Sequence, residues 1–113
     1  MTTEQRSVIE QQVNSLTLSG VLRRYLGTKK SPAGLSHCYF VLEHSSAQQE
    51  AALARRIYCR IRAVAVGEQW PAVFAQLAIG ANISVQGFIA TQRNHQGELE
   101  QVFHAQDIRV LSV

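Results

Sequence analysis

The chain has 113 residues, 46% hydrophobic and 17% charged, with a formal net charge of +3. That length and balance fit one domain whose core needs no disulfide or metal to hold it. No apolar run approaches the ~20 residues of a membrane helix, and Met1-Thr2-Thr3-Glu4-Gln5-Arg6 lacks signal-peptide design, so a cytoplasmic protein is expected.

Met1 to Gln12 is polar and Gln-rich. A flexible N-terminal extension is expected over 1–13, ahead of a folded domain over 14–113. The first strand reads from Asn14 to Gly27, where Leu16 and Leu18 alternate with Ser15, Thr17 and Ser19. Gly20 interrupts this pattern and marks a bulge or bend of the kind that rolls a sheet into a barrel. Arg23 and Arg24 then carry the strand into positive charge. Gly27 to Gly34 reads as a loop. It holds Lys29 and Lys30, the two lysines of the chain, as a basic finger for phosphate or as ordinary solvated loop residues.

The second strand spans Ser36 to His44, with Cys38, Phe40 and Leu42 inward and His37, Tyr39, Val41 and Glu43 outward. Ser45 to Ala54 reads as a long polar connection. The third strand, Arg55 to Val66, divides by parity. Ile57, Cys59 and Ile61 face a core, while Arg56, Tyr58, Arg60 and Arg62 share the other face. Guanidinium groups around a flat ring suit single-stranded nucleic acid. A solvated edge strand protected by Arg gives the same pattern. Gly67 to Leu77 follows as a short helical plug, with Pro71 in the first turn and Val73, Phe74 and Leu77 at helical spacing, while Trp70 is read as part of the plug or, alternatively, as a ring for a base. Ala78 to Asn82 turns into a fourth strand carrying Ile83, Val85 and Ile89, bent at Gly87. Gln92 to Gly97, with Arg93 and His95, is a polar hairpin turn. The last strand runs from Leu99 to Leu111. Its alternation slips near Ala105, a bulge expected to turn Ile108 and Val110 inward.

Three strands, a short helix and two strands, bent at glycines, predict an all-β OB-fold: a five-stranded Greek-key barrel with the helix between strands 3 and 4. That architecture binds oligonucleotides on its strand 2–3 face and its 1–2 and 4–5 loops. Lys29, Lys30, Ser31, Arg56, Tyr58, Arg60, Arg62, Arg93 and His95 all fall there, so they are the expected nucleic-acid-binding residues. Catalysis is not expected. Asp107 is the sole Asp, and His37, His44, His95 and His104 have no metal-ligand spacing. Cys38 and Cys59 form no C-x-x-C pair and are read as reduced core thiols, so no metal or cofactor is expected.

Leu18-Ser19-Gly20, Ser31-Pro32-Ala33-Gly34, His37-Cys38-x-Phe40-Val41-Leu42-Glu43-His44, Val85-Gln86-Gly87-Phe88-Ile89 and His104-Ala105 carry a resemblance over nearly the whole chain. The chain resembles the primosomal replication protein N (PriB) family. The resemblance implies a homodimeric OB-fold that binds single-stranded DNA in the replication-restart primosome and contacts the helicase PriA and DnaT. It implies no enzymatic activity. The family's third-strand aromatic falls on Tyr58, where Trp is more usual. Its 1–2 loop lysine falls on Lys29, beside Ser31, and its first 4–5 loop lysine on Arg93. His95 and Glu100 stand where further lysines are expected, Ser45 where an arginine is usual, and Leu53 where an aromatic can sit. Arg56, Arg60 and Arg62 would shift positive charge toward the middle of the sheet. Two other readings fit these departures: a primosomal protein–protein adaptor with weak DNA binding, or an RNA-binding OB-fold.

Overall fold

Strict alternation builds the core. Cys38, Phe40 and Leu42 are fully buried on every second position of one strand, and Ile83 and Val85 repeat this on another. The computed structural model describes residues 12–112. Its elements are β1 (Leu16–Lys30), β2 (Ser36–Glu50), β3 (Leu53–Val66), α1 (Trp70–Gln76), β4 (Asn82–Arg93) and β5 (Leu99–Ser112). The strands close in the order β1-β2-β3-β5-β4, and β4 returns to β1. The β3–β5 pair is parallel and the others antiparallel. This is the expected OB-fold barrel. Residues 1–11 of the expected extension lie outside the described residues, and Gln12 and Val13 are exposed.

Two glycines let the barrel close. β1 pairs with β4 up to Val21 and with β2 from Val21 onward. At this switch a Cβ on Gly20 would lie 2.3 Å from the Glu43 carbonyl oxygen. On the neighbouring strand β4, a Cβ on Gly87 would lie 1.7 Å from the His104 carbonyl oxygen. The expected bulge sits beside that contact: Gln86 pairs with Asp107 and Gly87 with Ala105, so Gln106 is skipped. α1 closes one end as a plug. Trp70 and Phe74 are buried, and the Phe74 ring packs 4.9 Å from Phe40 and 5.0 Å from Tyr25.

Four expectations are corrected. Gly27 does not end β1. It sits at a register shift with φ 111°, and the strand resumes pairing through Thr28, Lys29 and Lys30 opposite Cys38, His37 and Ser36. Ser45 to Ala54 is not a loop. β2 and β3 stay paired out to Glu50 and Leu53, and Ala51 and Ala52 alone make the turn. Their φ values of 51° and 63° are the double positive φ of a tight hairpin. Asn-Gly would have announced such a turn, and Ala-Ala does not. The outer part of β2 and β3 is therefore a two-stranded arm reaching past the barrel. For that reason Ile57 and Cys59 are only half-buried, and the β3 core residues are Ala63 and Ala65. At the end of β5, Ile108 packs on the core as expected but Val110 is 54% exposed. A second register slip opposite Asn82 and Ile83 carries the strand end past the core.

Candidate nucleic-acid interface

Register decides which side chains meet on the outer face. On β1, Lys29 stands opposite His37. Tyr39 follows on the same face of β2, and Arg62 on β3 lies beside it. The Arg62 guanidinium carbon stands 5.3 Å from the Tyr39 ring centroid, a cation–π contact. The turn after β4 closes the other side. Asn94 Oδ1 accepts from the backbone N–H groups of Gln96 and Glu98, both at 3.0 Å, and fixes that turn. The result is a cleft of about 180 Å³ walled by Lys29, Tyr39, Arg62, Arg93, His95 and Glu100. Four basic residues come to it from three separate stretches of chain, with an aromatic ring between them. Glu100 opposes them and pairs with Arg62 at 3.5 Å.

Farther along the sheet, Arg60 stands opposite Glu43, Tyr58 opposite Ser45, and Arg56 opposite Ala47. The expected stripe of Arg56, Tyr58, Arg60 and Arg62 therefore exists on one face, but an acid sits beside its middle. Glu43 Oε2 accepts from Arg60 Nη2 at 2.8 Å, from Arg60 Nε at 3.2 Å and from the Tyr58 hydroxyl at 3.0 Å. Arg23 Nε lies 3.4 Å away. The Arg60 bond, then the Tyr58 bond, hold the Glu43 carboxyl below the usual carboxylate range.

Not every expected residue joins these groups. Strand alternation sends Lys30 away from Lys29, and its Nζ pairs with Glu68 at 3.3 Å. Glu68 also accepts the Ser36 backbone N–H at 2.8 Å. The Ser31 hydroxyl accepts the Leu35 N–H at 3.2 Å and so holds the β1–β2 turn. Arg56 lies exposed on the arm, away from the cleft. Conversely, Tyr39, Arg23 and Glu43 were not among the expected site residues. Parity already put Tyr39 and Glu43 on the outer face of β2; only the register with β3 says what they touch. Among the described residues, no group of three or more His, Cys, Asp or Glu is gathered to hold a metal ion.

His104, next along this face, carries a pH signature. Its ring stacks on Phe88 with centroids 4.8 Å apart, and Nε2 lies 2.9 Å from Gln92 Nε2. Burial, and then nearby His37, push its pKa below the ordinary value. The unfolded chain takes up that proton more readily as pH falls through roughly 6.5. Stability present above that pH is therefore lost on acidification. The melting temperature should fall between about pH 7.5 and 5.5, and His104→Gln should flatten that slope. Glu43 and Glu68, both lowered, add their losses only near the carboxylate range. Thermal melts followed by circular dichroism across this range check the expectation, and equal slopes would refute it.

Residues 14–107 match the family described as "Another single-strand binding protein family". The replication restart protein PriB of Photobacterium profundum is 42% identical over 98 residues, covering 87% of this chain and 94% of that protein. PriB of Salmonella typhi is 39% identical over the same shares. Among solved structures, PriB from Ralstonia solanacearum superposes with a TM-score of 0.74 at 27% identity, covering 88% of this chain and 99% of that one. The Plasmodium falciparum SSB, solved in complex with ssDNA, gives a TM-score of 0.73 at 17% identity over 91% of this chain and 98% of that one, a likeness of fold. The chain belongs to this single-strand binding protein family, among the replication restart proteins PriB.

Proposed function

We propose that this protein binds single-stranded DNA without catalysis, as a cytoplasmic component of bacterial replication restart. The DNA path crosses the outer face of β2 and β3 and enters the cleft beside the β4–β5 turn. The observation that carries this reading is the convergence of Lys29, Arg62 and Arg93 around Tyr39. Such a groove neutralises phosphates while flat rings stack bases, and neither contact reads base edges. Binding is therefore salt-sensitive and nearly sequence-independent. A second copy pairs along an edge strand, extending the basic face across a homodimer. PriA helicase and DnaT are the protein partners, as the resemblance implies.

One observation favours a second reading. Glu43 and Glu100 each occupy guanidinium groups of the proposed DNA face. A face so neutralised suits an adaptor that binds partner proteins and holds DNA weakly.

Fluorescence anisotropy of a labelled oligo-dT at several salt concentrations tests both. Tyr58 is 59% exposed on the strand-three face. Tyr58→Ala should cost about 1–3 kcal/mol of binding, the usual worth of a base–aromatic stack. Arg60→Ala should weaken binding and shallow its salt slope by about 0.7. Absence of binding at low salt would favour the adaptor. Competition by RNA of equal length, if it outdid DNA, would point to an RNA-binding protein instead.

A further inference from the structure

Glu43 is the one carboxylate that contacts the outward Arg/Tyr stripe at its centre among the described residues. It takes up both Arg60 donors on its side, the Tyr58 hydroxyl and the edge of Arg23. These are the donors a DNA phosphate would need there, and the ring a base would need is tied down by its hydroxyl. A carboxylate and a phosphodiester offer these groups the same chemistry: anionic oxygens that accept charge-assisted bonds. The Arg groups are half-exposed or more, at 54% for Arg23 and 52% for Arg60, against 27% for Glu43. Exposed pairs of this kind are screened and weak. Glu43 is thus held firmly enough to occupy the site and loosely enough to be displaced.

We propose that Glu43 is an internal competitor for the DNA phosphate, and that nucleic acid engages the β2–β3 face only by displacing it from Arg23, Arg60 and Tyr58. This rests on the single-stranded DNA reading above. It divides the path in two. In the cleft around Tyr39, Glu100 pairs with Arg62 but Lys29 and Arg93 carry no ion pair among the described residues, while the centre of the stripe is closed by Glu43 and opens on engagement. Displacement also frees the Tyr58 ring to stack, so phosphate capture and base stacking are coupled at this point. Glu43 therefore sets how tightly the middle of the sheet holds DNA, without touching DNA itself.

Glu43→Gln keeps the shape and a neutral acceptor but removes the competing charge. The comparison is anisotropy of labelled oligo-dT against wild type, Glu43→Gln, Glu43→Gln/Arg60→Ala and Asp107→Asn, with thermal melts as the folding control. Among the described residues Asp107 pairs only with Arg109 on β5, and it supplies the same change in net charge elsewhere. One regained phosphate contact steepens the log–log salt slope by about 0.7, which is about eightfold in affinity near 50 mM salt. Glu43→Gln should show that gain, Asp107→Asn should not, and adding Arg60→Ala should abolish it. Oligo-dT binding in wild type with no gain in Glu43→Gln would overturn the competitor while leaving DNA binding intact. An equal gain in Asp107→Asn would reduce the effect to net charge and overturn it too. Absence of binding in both wild type and Glu43→Gln at low salt would sink the DNA reading and this proposal together.

Discussion

Gly87→Ala should destabilise the barrel by about 3 kcal/mol or more. The added methyl would lie 1.7 Å from the His104 carbonyl oxygen, and that atom is backbone. A flexible side chain could swing aside; a carbonyl in the β4–β5 ladder cannot move without breaking pairing on both sides of the Gln106 bulge. The same ladder carries Val85 and Phe103, both fully buried, so relief of the clash would open the core. Against a typical domain stability of 5–15 kcal/mol, roughly, this is a large fraction. The melting temperature should fall by more than about 10 °C, as read by circular dichroism. A fall of only a few degrees would mean that the strands do not approach each other this closely at Gly87.

Replacing Lys29, Arg62 and Arg93 together by Ala should nearly abolish tight DNA binding. Each lost phosphate contact lowers the log–log salt slope by about 0.7. Three such losses amount to more than about two decades of affinity near 50 mM salt. All three side chains wall the same cleft, and Arg62 also holds the Tyr39 ring. Lys30→Ala is the informative contrast. Lys30 is adjacent to Lys29 in sequence but is turned to Glu68, so its loss should change affinity by less than about twofold. Equal effects of Lys29→Ala and Lys30→Ala would show that DNA follows the β1–β2 turn and not the cleft.

That contrast shows where sequence reading reaches its limit. Both lysines were legible as one basic finger, because Gly27 and the Ser31-Pro32-Ala33-Gly34 run signal a loop. The strand instead continues through a bulge at Gly27, and two paired positions then point to opposite faces. The arm was hidden for a related reason. Ser45 to Ala54 has no apolar alternation, and Ala51-Ala52 carries no turn signal, so only cross-strand pairing makes it a ribbon.

What the sequence determined by itself is what a period of two can determine. Cys38, Phe40 and Leu42 must share one face; Arg56, Tyr58, Arg60 and Arg62 must share another, whatever the neighbours are. The glycine bends at Gly20 and Gly87 and the helix carrying Trp70 and Phe74 were likewise local signals, enough to indicate a five-stranded barrel. Tertiary structure alone decided the partners across strands. That Glu43 meets Arg60, or that Arg62 meets Tyr39, depends on the β2–β3 register, which the distant Ala51-Ala52 turn sets and which runs unbroken to His37 and Val66. A slip of one residue would exchange every such pair. Charge that parity spreads along a strand is therefore gathered, or cancelled, only when the strands pair.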